Sequence, residues 1–486
     1  MLKAWLVQCL RAQAWLCLGL LASSGGASEI AHLQGEMAGE VTTDSVILQS
    51  RLTVSAVDAT GDVPGAVGEA RFEIADNDAF RGSRFTRWMR TRPDNDFLVK
   101  VKVSGLKPGT KHFYRLHLGE DRKSAQPGPT RSFKTHRGAG LSANTSFVVV
   151  TGMNYAFFHD GPKGDDKRAY KGPDKHLGYP ALKAMLDLEP DFFVGTGDNV
   201  YYDHHKRFSA TDAPSMRKKW HEQFAQPRFV ELFASVPTYW EKDDHDHRYN
   251  DNDNTGDRKP SSELGIRIFR EQVPIVDPED PDAVTYRTHR ISAELQIWLL
   301  EGRDYRSPNR IPDGPDKTIW GAEQKAWLKR TLLQSRAKFK VIISPTPMVG
   351  PDGKGKKDNH TNVGGFQHEG NEFFSWAKAN GFLDKGLYLV CGDRHWQYHS
   401  IHPSGFEEFS SGALVDANSR LGVNPGAKNS TDPEGRVKQP YTSRTPSGGF
   451  LNVVVELPRK GGQLKLRFKF FDENGELLHE VVKVRR

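Results

Sequence analysis

Residues 191–201 read Asp191-Phe-Phe-Val-Gly-Thr-Gly-Asp198-Asn-Val-Tyr201. The stretch is apolar at successive positions and then stops at a glycine followed by an acid. A strand that keeps both faces dry belongs inside a layered α/β domain, because a half-exposed strand alternates apolar and polar residues. The same pattern recurs along the chain. Phe147-Val-Val-Val-Thr ends in Thr151-Gly-Met153-Asn154, and Val236-Pro-Thr-Tyr-Trp leads into Asp243-Asp244-His245-Asp246, then Asn250-Asp251. Leu387-Tyr-Leu-Val-Cys ends in Gly392-Asp393-Arg394-His395, with His399 close behind, and Lys340-Val-Ile-Ile-Ser is a fifth such run. Between the runs, Met216, Trp220 and Phe224 recur every four residues, and 320–339 and 371–380 have helical patterning. The last of these is terminated by Asn380-Gly381.

Ligands of open α/β sheets gather beyond the carboxyl ends of the strands. Four runs here deliver carboxylates, imidazoles or amides to such ends. Each motif alone is weak, since Asp beside Gly is commonly a turn residue and Asp-Asp-His-Asp could be a solvated acidic loop. Together they point to metal, because packed carboxylates repel and desolvate one another unless cations compensate.

Residues 30–136 have a different texture. Segments 40–52 and 97–103 alternate, with Val99, Val101 and Val103 on one face, and Gly/Pro/Asp clusters punctuate them. Leu106-Lys-Pro-Gly-Thr-Lys-His-Phe-Tyr114 has the form of a fibronectin type III-like corner, in which the tyrosine bonds back to the preceding turn. The expected architecture is a small all-β domain over 30–136, a linker at 137–144, and an α/β (α+β) layered domain over 145–486. The latter ends in a hairpin formed by 450–457 and 464–471. Residues 351–365, rich in Gly, Lys and Asp, read as a mobile surface loop.

Residues 1–27 carry an early Lys3, a Leu-rich stretch and a small-residue end, the pattern of a secretory signal peptide, and nothing later is long enough to span a bilayer. Export to the periplasm or exterior is expected. The formal charge is +7, and removing Lys3 and Arg11 leaves 7 minus 2, or +5. No Lys/Arg block is dense enough to announce nucleic-acid binding. Only Cys391 of the three cysteines lies beyond the leader, so no intrachain disulfide is expected, and a buried strand position suits it.

The ensemble resembles the alkaline phosphatase D (PhoD-like) family of calcineurin-like metallophosphoesterases. The resemblance spans nearly the whole chain: the β-sandwich leader, Gly197-Asp-Asn-Val-Tyr201, Trp240 with the Asp-Asp-His-Asp block, Gly302-Arg-Asp-Tyr-Arg306, Gly321-Ala-Glu-Gln-Lys-Ala-Trp-Leu328 and Gly392-Asp-Arg-His395. It implies an exported phosphomonoesterase or phosphodiesterase acting on small phosphate esters with two or more metal ions. By position it implies Asp198 as a bridging ligand, with Tyr201, Asp244, Asp393 and His395 as further ligands and Asp243 as an additional candidate. His245 would stabilise the transition state or protonate the leaving oxygen, and Asn250 and Arg394 would hold phosphate oxygens. For Arg394 a supporting salt bridge is the equal alternative. His204 and His205 are expected to be exposed loop residues.

The chain departs from this family at one place. Gly152-Met153-Asn154 stands where the family has a metal-binding cysteine, and a neutral thioether is a poor ligand for a hard trivalent ion. Divalent ions (Ca, Mn, Mg or Zn) are therefore expected rather than the usual iron centre, with Asn154 or Met153 at the altered position. Glu301 is a second departure, where Asp is expected. Two other readings stay open: a non-catalytic binding module on the same scaffold, and an extracellular nuclease, which would need a basic, aromatic-lined groove. Oligomeric state is open.

Overall fold

The computed structural model describes residues 30–280 and 282–485, so the expected leader lies outside the described residues. Two sheets form its centre. In one, strands Thr145–Val150, Phe192–Thr196 and Thr238–Glu241 run parallel as neighbours. In the other, Leu295–Leu299, Phe339–Ser344, Leu387–Cys391 and Glu407–Ser411 do the same.

Packing explains the uninterrupted apolar runs. Phe147, Val149, Phe192 and Val194 belong to a core between the sheets, shared with Ile297, Leu299, Val341, Ile343 and Val390. Their alternate neighbours Val148, Val150 and Phe193 belong to an outer core with residues of helices Pro180–Asp187, Ala213–Phe224, Pro227–Phe233 and Ser262–Gln272. On the far side, Trp298, Ile342 and Leu389 pack with residues of helices Gly321–Gln334 and Gln367–Ala379. The result is a four-layered α/β/β/α sandwich. Each fully buried Val, Leu, Ile or Phe contributes roughly 1.5–3 kcal/mol, so residues serving a core on both strand faces hold the layers together. Helix Ala213–Phe224 starts where Asp212 accepts a hydrogen bond from the Ser215 N–H at 3.0 Å.

Residues 30–136 form a β-sandwich with its own core, including Val46, Leu48, Phe72, Val99, Tyr114 and Leu116. One sheet of this sandwich is continuous with the α/β layer. Strand Glu36–Gly39 runs parallel to Thr238–Glu241, Gly39 facing Thr238, and Ser45–Arg51 and Leu98–Ser104 follow, completing a nine-stranded sheet. The alternating segment 40–52 is interrupted by a turn in which Thr42 Oγ1 accepts from the Asp44 and Ser45 N–H groups.

The tyrosine corner does not form. The Tyr114 side chain sits fully buried in the sandwich core and its hydroxyl has no hydrogen-bond partner. Thr135 closes the corner instead, donating from Oγ1 to the Lys107 carbonyl at 2.5 Å. A stranded hydroxyl carries a desolvation cost, so Tyr114→Phe should leave stability unchanged or raise it by up to about 1 kcal/mol in denaturant unfolding. A clear loss would show that the hydroxyl is bonded after all.

The C-terminal hairpin forms as Gly449–Glu456 and Leu464–Asp472, joined to the first sheet through Thr145–Val150. A third strand, Leu477–Arg485, extends it. Among the described residues no helix is long and apolar enough to cross a membrane.

Candidate active site

The strand ends from both sheets meet at one rim, and two glycines permit it. A Cβ at Gly197 would overlap the Asp243 side chain, and one at Gly392 would overlap the Thr196 carbonyl on the opposite sheet. The aspartates that follow, Asp198 and Asp393, both adopt left-handed backbone, φ 55° and 57°. Asp tolerates this region better than most residues, and such conformations concentrate where geometry serves a site.

Around this rim Asp198 Oδ2 accepts from the Tyr201 hydroxyl at 2.8 Å and lies 3.2 Å from His395 Nε2. Asn418, from the loop after Glu407–Ser411, donates to the same tyrosine oxygen at 2.8 Å. Ligand atoms of Asp198, Asp244 and His245 lie within 4.8 Å of one another, as do those of Asp243, Asp244 and Asp393, and of Asp244, Asp251 and Asp358. Asp198 and Asp244 thus link the acidic groups of both sheets.

The electrostatics are those of a cation site. Burial pushes the Asp198 carboxyl above its usual range, and neighbouring Asp244 adds to the effect. Asp243 is raised well above its usual range by burial, against the opposing pull of Arg303. Burial also lifts Asp358 to about 6. Asp198 Oδ1, Asp243 Oδ2 and both Asp358 carboxylate oxygens are buried with no hydrogen-bond partner. Buried carboxylates without partners are costly unless protonated or bound to a cation, so the donor set fits hard metal ions.

His245 is held differently. Its Nδ1 lies 2.6 Å from Asp203 Oδ1, and Asp203 Oδ2 accepts from the Asn250 N–H at 3.0 Å. Burial works against a charged imidazole, but Asp203, Asp244 and Asp198 outweigh it and raise the His245 pKa well above its usual value. A cleft of about 590 Å³ opens over these groups, lined by Asp198, Asp244, His245, Asn250, Asp393 and His395 among others.

The PhoD-like phosphatase family matches residues 147–440, and the N-terminal domain of PhoD-like phosphatases matches residues 22–134. The chain belongs to the PhoD-like phosphatase family. Alkaline phosphatase D of Bacillus subtilis (strain 168) is 23% identical over 366 residues, which is 68% of this chain and 60% of that protein. This chain therefore spans less than two thirds of that relative's length. A solved structure of PhoD superposes with a TM-score of 0.70 at 18% identity, covering 96% of this chain and 90% of the other. The purple acid phosphatase PPD1 from yellow lupin seeds gives 0.56 at 12% identity, over 92% and 73% of the two chains. At such identities the likeness concerns the fold, and it matches the layered metallophosphoesterase sandwich with an all-β leader.

Other expected site residues of this PhoD-like chain take varied places. Met153 is buried in the apolar core beneath the rim. The Asn154 carbonyl oxygen caps helix Tyr155–Asp160 by accepting from the Phe157 N–H at 3.1 Å, and its amide contacts His204 Nδ1 at 2.7 Å. Asn250 is exposed along the cleft. Arg394 is fully buried, bonded to Asp352 at 3.1 Å and donating to Thr361 Oγ1 at 2.9 Å. Asp243 Oδ1 is gripped by Arg303. Glu301 is buried against Lys242 at 3.0 Å. Cys391 is buried, its sulfur 3.2 Å from the Tyr398 hydroxyl.

Two expectations about loops fail. His204 is not exposed: it stacks between Phe157 (4.6 Å, 9°) and Tyr201 (5.0 Å, 13°), and burial lowers its pKa to about 3. Segment 351–365 is not a free surface loop. Asp352, Asp358, Asn359 and Asn362 are buried: Arg394 and Arg420 hold the Asp352 carboxylate, Arg306 donates to the Asp358 carbonyl, and Asn362 Oδ1 accepts from the Asp358 and Asn359 N–H groups. Lys356 bonds Asp251 at 2.8 Å. Asp203, Asp358, Asn418 and Arg420 were missed from sequence. Asp203 lies two residues past Tyr201, the one spacing signal that could have marked it.

Proposed function

We propose that this chain is an exported, metal-dependent phosphatase hydrolysing phosphomonoesters and phosphodiesters. The observation that carries this reading is the convergence of Asp198, Tyr201, Asp244, Asp393 and His395 at one cleft, with Asp198 Oδ1 buried and lacking any protein partner. Asp198, Tyr201 and His395 would hold one ion and Asp244 and Asp393 another, with Asp198 shared. Bound there, such ions supply Lewis-acid activation of water and offset charge on the phosphoryl oxygens. Oxygen and imidazole donors without a thiolate suit divalent Ca, Mn, Mg or Zn. With Met153 in the core, the altered first-strand position contributes no ligand of its own.

His245 serves as the proton donor to the leaving oxygen. Asp203 fixes its Nδ1 and so orients the other ring nitrogen, as paired carboxylates do for catalytic imidazoles. Asn250 holds a phosphoryl oxygen from the cleft wall. Arg420, 40% exposed at its side chain and anchored by Asp352, takes the cationic role in place of the buried Arg394. Export rests on the leader pattern in residues 1–27.

Metal content and turnover test the reading together. Chelation should lower hydrolysis of p-nitrophenyl phosphate and bis(p-nitrophenyl) phosphate by about 10³-fold or more, roughly 4 kcal/mol of barrier. Added Ca²⁺ or Mn²⁺ should restore it. No turnover with any metal would favour a binding module, and a stoichiometric iron–thiolate centre would overturn the divalent assignment.

A further inference from the structure

A second basin of about 730 Å³ adjoins the metal-site cleft. Phe157, Pro162 and His204 line both, so the stacked Phe157–His204 pair is a shared wall rather than a boundary between unrelated cavities. On the far side the basin is lined by Lys163, Lys206 and Arg207, all exposed. Among the described residues neither lysine has a carboxylate within ion-pair distance, and Arg207 has only the face of Phe208, at 4.5 Å. The basin also holds two acids: Asp166 bonds Lys171, and Asp160 lies 3.7 Å from His205. Three cations that form no ion pair, gathered one wall away from the phosphoryl site, outnumber the two acids of the basin and leave a net positive potential that an anion can meet.

We infer that this basin is a second anion subsite, receiving a negatively charged group on the leaving-group arm of the substrate, so that preferred substrates carry a second phosphate or carboxylate beyond the scissile ester. The inference rests on the phosphatase reading for its first anchor, the scissile phosphoryl group in the cleft. It gives the chain a specificity element that the metal ligands cannot supply, since they would hold only the ions at the reacting phosphoryl group.

The probes are alkane-α,ω-diyl bisphosphates of four, six and eight carbons, each paired with the alkyl monophosphate of equal length. Inhibition constants against p-nitrophenyl phosphate are measured with the metal-loaded protein, alongside calorimetric affinities. At the best-fitting length the bisphosphate should bind about tenfold tighter than its monophosphate, the gain expected of a few exposed ion pairs. That advantage should shrink as salt rises. In K163A/K206A/R207A the advantage should vanish, with monophosphate affinity and p-nitrophenyl phosphate turnover unchanged. A wild-type protein without a length-dependent advantage, or a variant that keeps it, overturns the subsite. If no ester is turned over, the phosphatase reading fails by itself, while the calorimetric comparison of wild type and variant still decides the basin.

Discussion

Asp198→Asn should lower kcat for phosphate esters by about 10³-fold or more, a barrier increase of roughly 4 kcal/mol, and should reduce bound metal in the same preparation. Asp198 is 1% exposed and its Oδ1 has no protein partner, so in the metal-free protein its charge is an expense. Burial and Asp244 both disfavour that charge. An isosteric amide removes the repulsion while keeping the volume, and the Tyr201 hydroxyl can still donate to its oxygen. The metal-free variant should therefore be at least as stable as metal-free wild type. The stabilisation that added metal gives wild type should shrink in the variant. This pairing separates a ligand from a structural residue, whose loss would destabilise both forms. A variant with full metal and full activity would show that the site has been misassigned.

His245→Gln should cost about 10²- to 10⁴-fold, depending on the ester. If His245 protonates the leaving oxygen, an alkyl phosphate should lose far more than p-nitrophenyl phosphate, whose phenolate leaves without help. Asp203→Asn should reproduce the same leaving-group dependence more weakly, about 10- to 100-fold, because it acts by orienting the imidazole 2.6 Å away. The double variant should be little worse than His245→Gln alone, as expected for two groups that act as one unit. Equal losses for both ester types would remove the acid role and leave His245 as a charge at the cleft.

Local chemistry made much of this protein legible in advance. The runs at 147–151, 191–196, 236–240, 340–344 and 387–391 fall on strands, and their unbroken apolarity follows from cores on both faces. The Gly-Asp pairs at 197–198 and 392–393 sit at the ends of those strands because close approach to the neighbouring chain excludes a Cβ. Leu295–Leu299 and Leu477–Arg485 were missed, although one is buried at all but Gln296 and the other lies at a sheet edge. Periodicity reports how a segment is buried, which the chain carries locally. It does not report which distant segment it meets. Only the tertiary structure joined the leader's sheet to the α/β layer through Gly39 and Thr238, placed Asp203 against His245, and turned Arg394 inward to Asp352. Likewise only it drew 351–365 over the acidic rim, since a Gly- and Lys-rich stretch looks solvated until the carboxylates that capture its charges are near. The residue types that could hold ions and phosphate are written in the chain; their pairing depends on separations of a few ångströms that no spacing along the sequence encodes.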